Sequence, residues 1–339
     1  MSIQHVAQHA QVSVATVSRV FNFPDKVAVA TRDRVLAAAQ SLGYLPNASA
    51  RTLRTQRSRV LGVVLPTLHN PVFAECLDGI AQAARAAGYA ILPVTTDYEL
   101  GNEQQAASEL LAGDAAGMLL VVADPARSAV LERLQGAGVP YVLLYNRHAS
   151  HPCVSVDSEA AVAAAVARLA RQGHRDIAMV SGPLGASDRA RQRYDGFLHG
   201  MAAVRGSRAR LIEVPFVASA AGPVAALLAP DDRPTALFCS NDLLAIRCLR
   251  AAHLLGLRVP EQLSVVGFDG IALGEELTPI LSTVVQPHRE IGRRGVDILV
   301  AALARDARPS GADSELLAHG FRDGESTAPA AVAATRVAA

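Results

Sequence analysis

The sequence predicts an α/β protein with a small all-α front: an N-terminal helix-turn-helix followed by two doubly wound parallel α/β subdomains. Three observations carry this. Apolar residues recur at helical spacing from Ile3 to Leu42. From Arg59 onward, short β-branched runs alternate with amphipathic helices. That alternation comes in two runs of similar size, which implies two sheets built from βαβ units. The chain has 339 residues, half of them hydrophobic, enough to bury two ordinary cores and a small one.

The front reads as two short helices and a turn. Ile3, Val6, Ala7 and Ala10 fall at i, i+3, i+4 and i+7, one apolar face of a first helix. Gln11 and Val12 make the turn. Ser13 stands where an N-cap belongs, its hydroxyl placed to accept from a free amide of the next turn. Val17, Val20 and Phe21 form the inward face of the second helix, leaving Ala15, Thr16, Ser18, Arg19 and Asn22 outside. Small and hydrogen-bonding residues at its start, with an Arg one turn on, suit insertion into a DNA major groove. A helical hairpin capping another core would show the same pattern. Thr31 is the expected cap of a third helix burying Val35, Leu36, Ala39 and Leu42, stopped by Gly43 and Pro46. This front is assigned to residues 1–46.

Residues 47–58 form a linker of their own. Asn47 can cap a helix of about two turns ending near Thr55, too short to persist alone. Leu53 is its only large apolar side chain, flanked by Arg51 and Arg54. It suits either packing on the body or wedging between base steps in the minor groove.

In the body, residues 61–66, 89–96, 117–124, 140–146 and 153–157 read as buried parallel strands, with helices such as 72–87 and 102–112 between them. The pattern repeats at 177–182, 211–216, 235–240 and 263–268, with helices at 158–172, 189–203, 221–229 and 242–256. Late strands at 281–287 and 315–321, around a helix at 289–304, complete both sheets and require several crossings between subdomains. The body is thus expected over 59–327. One subdomain takes about 59–158 and 288–314, the other about 159–287 and 315–327. The Ala-rich stretch 328–339 is expected to be a disordered tail.

Net charge is +1, but it is unevenly spread. The first 59 residues carry eight basic against two acidic side chains, and the remainder is net negative. A basic front on a mildly acidic body fits presentation of one end to phosphates. The helical pattern begins at Ile3 with no leader-like apolar run, and no apolar stretch is long enough for a membrane span, so a cytoplasmic location is expected. Cys76, Cys153, Cys239 and Cys248 lack metal or redox spacing and read as small buried hydrophobes.

Ligands in open α/β sheets bind at the carboxyl ends of strands. The polar candidates there are Thr67, Leu68, His69 and Asn70, then Thr96 and Asp97, Asn146 and Arg147, Ser181 and Gly182, Asn241 and Asp242, Asp269, and Gln286. With Arg193 they form a ring of amide, carboxylate and guanidinium groups suited to a small polyhydroxylated ligand. Catalytic parts are missing: no nucleophile elbow, P-loop or dinucleotide fingerprint follows a strand. The ten histidines have no metal spacing, and Asp242 suits a structural role at a helix start as well as that of a base. No catalytic residue, metal or cofactor is assigned, and the chain is not expected to be an enzyme.

The order of SVATVSRVFN, then PNASARTLR, then a double α/β body resembles the LacI/GalR family of transcriptional regulators. SGPLGASDRARQRYDGF (181–197), FCSNDLLAI (238–246), LSVVGFDG (263–270), LSTVVQP (281–287) and GEST (324–327) extend the likeness over residues 2–327. The resemblance implies a periplasmic-binding-protein-like body and a homodimer. Two helix-turn-helix units would then read a pseudo-palindromic double-stranded operator. Val14 and Ala15 match the positions that open the recognition helix, while Thr16, Ser18 and Arg19 match its phosphate and base contacts. Ser13, Asn22, Asn47, Arg51 and Arg54 accompany them on the DNA side, and Leu53 matches the wedge of the operator centre. Asn146, Arg193, Asn241, Asp269 and Gln286 match effector contacts of sugar-responsive members. Leu68, Asn70, Phe73, Arg147 and Val217 complete the expected pocket.

Three departures stand out. Val217 replaces an aromatic platform, Asp157-Ser158 replaces the more usual Asp-Asn, and no C-terminal leucine repeat is present, which favours a dimer over a tetramer. Arg147 is compatible with an acidic sugar. The resulting expectation is a cytoplasmic, homodimeric repressor whose operator affinity is set by a sugar or sugar-acid effector. The alternative is a solute-binding protein of the same body fold with no transcriptional role.

Overall fold

Ser2 opens the first helix, α1 (Ile3–His9), with a capping box in which its side chain serves the amide of His5 and the His5 ring serves the Ser2 amide. The computed structural model describes residues 1–44, 58–215, 221–229 and 232–330. The chain divides between Ser58 and Arg59 into two units. In the first, Gln11 takes a left-handed φ of 51°, and Ser13 Oγ accepts from the Thr16 amide to start α2 (Val14–Asn22). Val6, Ala7, Ala10, Val17 and Val20 are buried together with Val35, Ala38 and Ala39 of α3 (Val29–Ser41). The third helix starts ahead of its expected cap. Ala28 is the N-cap, and Thr31 lies inside the first turn, its amide donating to the Ala28 carbonyl. Leu36 is 43% exposed, since it falls one residue round from the Val35–Ala39 stripe. Gly43 supplies the left-handed residue (φ 58°) after the helix. The linker residues Asn47, Arg51, Leu53 and Arg54 lie outside the described residues, as does Val217.

The second unit holds two six-stranded sheets. The first lobe begins β1 (Val60–Leu65), α4 (Pro71–Ala86), β2 (Ala90–Thr95), α5 (Leu100–Ala112), β3 (Gly117–Leu120), α6 (Ala129–Ala137), β4 (Tyr141–Leu144) and β5 (Cys153–Val156). The second follows with α7 (Ser158–Arg171), β6 (Asp176–Ser181), α8 (Asp188–Ala202), β7 (Arg208–Glu213), α9 (Ala221–Leu228), β8 (Ala236–Cys239), α10 (Asp242–Leu254), β9 (Ser264–Asp269) and β10 (Ser282–Val285). The chain then returns through α11 (His288–Ala304) to β11 (Glu315–Leu317) and ends with β12 (Gly320–Arg322). Sheet orders are β11-β5-β4-β3-β1-β2 and β12-β10-β9-β8-β6-β7, parallel throughout except for β12. Each order reverses once, between β1 and β3 and between β6 and β8. Such reversals are where doubly wound sheets open a crevice for ligand.

Several expectations shift. β2 and β7 are not buried strands but half-exposed edges; Leu92 is 46% exposed, and Pro93 is tolerated because an edge amide needs no ladder partner. The expected strand 315–321 is two strands: Glu315–Leu317 pairs with β5 in the first sheet, and Gly320–Arg322 with β10 in the second. The crossing therefore comes three residues later than the expected change at 314/315. Residues 328–330 are pinned rather than loose. The Ala328 carbonyl accepts from buried His174 at 3.0 Å, its amide donates to Ser264 Oγ, and the Ala330 amide donates to Gln172. Without that carbonyl, buried His174 would keep only its bond to Thr235 Oγ1. Residues 331–339 lie outside the described residues.

Candidate functional site

Two helices start at the crevice from opposite lobes. Asn70 caps α4, its Oδ1 accepting from the Val72 amide at 3.2 Å; Asn241 caps α10, its Oδ1 accepting from the Leu244 amide at 2.8 Å. Both amide oxygens are thus consumed locally, leaving the N–H groups as donors, and the Asn70 side chain hydrogen-bonds the Asp269 carboxyl. The inner chamber is narrow, with free space of about 30 Å³. Phe73, Tyr98 and Tyr145 give it aromatic walls, while Arg193, Asp269 and Gln286 give it polar ones. Phe73 meets Tyr145 edge-on at 5.8 Å.

Asp269 is the pivot. Its φ of 131° is a conformation L side chains rarely adopt. Neighbours hold it there. The Asp269 carbonyl accepts from the Gln286 amide at 3.0 Å and from His288 Nε2 at 2.9 Å. The next two amides, Gly270 and Ile271, both donate to Asp242 Oδ2, while Thr283 donates to Asp242 Oδ1. Asp242 is therefore a brace for this turn, fully buried, and not a base facing the cleft. Gln286 Nε2 donates to Asp269 Oδ1 at 2.9 Å, and Arg193 Nη2 lies 3.5 Å from the same oxygen. Burial pushes the Asp269 carboxyl up to about 7, against the opposing pull of Arg193. Burial also lowers the Arg193 guanidinium, which sits 3.9 Å over the Phe268 ring and donates to the Ser240 carbonyl. Because a carbonyl only accepts, His288 carries its proton on Nε2 and takes the Tyr145 hydroxyl on Nδ1 at 3.1 Å. Burial holds that imidazole down to about 4.

Of the expected pocket, Asn70, Phe73, Arg193, Asn241, Asp269 and Gln286 line the inner chamber. Asn146, Arg147 and Leu68 do not. Asn146 is fully buried, exchanging hydrogen bonds with both backbone groups of Val122 and donating to Asp188 Oδ1 at 2.7 Å. Arg147 pairs with Asp157 at 3.0 Å, and Leu68 is half exposed. Thr67 and His69 instead line an outer chamber. Thr96 and Ser181 are buried outside both linings, and Asp97 is exposed. Tyr98, Tyr145, Ser187, Arg189 and Ser240 are lining residues that the sequence reading passed over. Arg189 was detectable, since it stands one helical turn before Arg193 and shares its face. Tyr98 reaches the cleft through successive left-handed residues, Asp97 and Tyr98, which no sequence pattern announces.

In the first unit, Ser13, Val14, Ala15 and Arg19 are exposed, Thr16 and Ser18 are half-buried, and Val17 and Val20 face the core. The α2 surface thus presents the candidate DNA residues on one side and its anchors on the other. Asn22 closes this helix; its side chain lies outside the described residues.

Residues 2–47 match the family of bacterial regulatory proteins named for LacI, and residues 166–327 match a periplasmic binding protein-like domain. The HTH-type transcriptional repressor PurR of Aliivibrio salmonicida is 32% identical, the match covering 88% of this chain and 91% of that protein. The ribose operon repressor of Halalkalibacterium halodurans is 31% identical, over 90% and 91%. Among solved structures, the Lac repressor dimer bound to operator and the anti-inducer ONPF is 27% identical with a TM-score of 0.85, covering 97% of this chain and 99% of the other. An exposed helix face on the helix-turn-helix, a two-lobed body with a polar crevice and these likenesses agree: the chain belongs to the LacI family of bacterial regulatory proteins, DNA-binding transcriptional regulators with a small-molecule effector.

Proposed function

We propose that a sugar or sugar acid occupies the cleft between Asn70 and Asn241 and sets the affinity of a homodimeric repressor for a pseudo-palindromic operator. The observation that supports the ligand class most is the turn at Asp269. A carboxyl group held on a strained backbone, with Gln286 and Arg193 on its Oδ1 and amide donors nearby, matches the paired hydroxyls of a polyol. The ribose operon repressor among the relatives points the same way for that protein. The candidate DNA surface comprises Ser13, Val14, Ala15, Thr16, Ser18 and Arg19, with Asn22, Asn47, Arg51, Leu53 and Arg54 added from the family pattern. The body acts as a sensor and has no assigned catalytic role. Among the described residues, no helix is long and apolar enough to cross a membrane.

The test is a footprint of the purified full chain on DNA flanking its own gene, repeated with pools of sugars and sugar acids. A protected pseudo-palindrome released by one pool is the expected result. Protection that no pool changes would remove the sugar class. Absence of protection at low salt would leave a solute-binding protein as the better reading.

A further inference from the structure

The inner chamber adjoins a larger outer one, and Asn70, Tyr98 and Asn241 line both. Free space is about 30 Å³ inside and about 320 Å³ outside. A water-sized group needs roughly 10–15 Å³ of such space, so the inner chamber admits about two heavy atoms and no sugar ring. The wall of that small chamber carries an unmet demand. Ser240 follows β8, and its backbone is committed: the amide donates to the Val180 carbonyl at 2.8 Å, and the carbonyl accepts from Arg193 Nη1. Its buried hydroxyl has no hydrogen-bond partner among the described residues. Nor has Arg193 Nε, although Nη1 of the same guanidinium is on Ser240 and Nη2 lies 3.5 Å from Asp269 Oδ1. Both residues line the inner chamber, and the bond between them keeps them together. Buried polar atoms are normally paired, so a ligand atom is the fitting partner for these two.

Chemistry narrows that atom. Arg193 Nε can only donate and so needs an acceptor, while Ser240 Oγ can donate or accept. A methyl group would leave both unmet. A carboxylate or phosphate would exceed the space and stand against the Asp269 carboxyl, which already faces Arg193. The other guanidinium on this wall, Arg189, is paired with Asp188 at 3.1 Å. We infer that the inner chamber is a subsite for one neutral arm of the effector, a hydroxyl or hydroxymethyl group whose oxygen accepts from Arg193 Nε and hydrogen-bonds Ser240 Oγ, while the ring stays in the outer chamber. Ser240 is thereby a specificity-determining residue, separating a sugar from its deoxy analogue at one carbon. This rests on the sugar-class reading above. Without ligand the same hydroxyl is a buried group with nothing to bond, and the unliganded fold gains nothing from it.

The test is calorimetric titration of the full chain with ribose, glucose, galactose, mannose and gluconate, followed by the single-deoxy analogues of each that binds. The expected result is that one deoxy analogue binds about tenfold or more weaker than its parent, because it leaves buried polar groups unpaired. Ser240→Ala should weaken the parent sugar about fivefold or more, while binding that deoxy analogue within about twofold of the unaltered protein. Its unfolding midpoint without ligand should equal or exceed that of the unaltered protein, a readout that a structural role for the hydroxyl would move the other way. Analogues that all bind as tightly as their parent, a Ser240→Ala loss that is absent or equal for parent and analogue, or a lowered midpoint overturns the subsite and leaves the sugar class standing. Binding by none of the parents refutes the sugar class itself, and the inference with it.

Discussion

Two buried groups that meet at one backbone carbonyl are pushed in opposite directions by burial, His288 down and Asp269 up. In the unfolded chain at mildly acidic pH, His288 is protonated and Asp269 is not, at their ordinary values of 6.5 and 3.8. In the folded protein, burial holds His288 down to about 4 and raises Asp269 to about 7, so the proton resides on Asp269. Between pH of roughly 4 and 6.5 the two states bind equal numbers of protons at this pair, and the pair adds no pH slope to stability. Each substitution alone should expose one. Asp269→Asn leaves a histidine that binds a proton only when unfolded, so stability should fall as pH drops from 6.5 toward 4. His288→Gln leaves a carboxyl that binds its proton only when folded, so stability should fall as pH rises from about 4 to about 7. Either slope approaches about 1.4 kcal/mol per pH unit at its steepest. Urea unfolding at half-unit steps against the parent protein reads both. Parallel pH profiles in all three proteins would disprove the opposed shifts. Asn matches Asp in size and shape, so the first substitution respects the turn.

At the level of elements, the lobes are built on close helix contacts that only glycine permits. A Cβ on Gly79 of α4 would sit 2.1 Å from the Arg289 carbonyl oxygen at the start of α11, and one on Gly292 would sit 2.3 Å from the Cys76 carbonyl oxygen. Neither obstacle is a movable side chain, so the helices must separate. Gly79→Ala should therefore lower unfolding free energy by about 1–3 kcal/mol, the usual cost of overpacking a tight core, despite the better helix propensity of Ala. A denaturation midpoint equal to or above the parent's would show that the pair is not in backbone contact. Most helices and strands were legible in the sequence because buried parallel strands and amphipathic helices differ in period. Edges were not: LGVVLP and YAILPVTT look alike, yet β1 is central and β2 is at the rim. Nor was the division at 318–319, where one apolar run serves two sheets. In the site, residues following strand ends on their own lobe were found, as Asn70, Asn241 and Asp269 show. Asn146 also ends a strand, but it is drawn away by Asp188 arriving from the other lobe. That three-dimensional fact leaves no local trace.

For the whole body, the cleft matters because the lobes already meet beside it. The Asp188 amide donates to the Ala123 carbonyl at 2.7 Å, Arg189 donates to the Val122 carbonyl at 2.8 Å, Arg191 pairs with Asp124 at 3.0 Å, and His288 reaches the Asp269 carbonyl from the first lobe's helix. A ligand gripping both lobes adds to or strains this set, which gives it differential affinity for their relative positions. Effector and operator affinities are then linked, and the factor by which effector changes operator binding must equal the factor by which operator changes effector binding. Arg193 tests where that link enters. It touches Ser240, Phe268 and Asp269, all in the second lobe, and is not itself a partner in any of the interlobe bonds named above. Arg193→Ala should therefore leave operator affinity in the absence of effector within about threefold, while the linkage factor falls to about one. The fold should tolerate it, because Asp269, deprived of its cation, simply keeps its proton at higher pH. Anisotropy of labelled operator, titrated with and without effector, gives both numbers. An unchanged effector response would remove Arg193 from the binding site. Loss of operator affinity together with a lowered unfolding midpoint would assign Arg193 to the integrity of the second lobe instead.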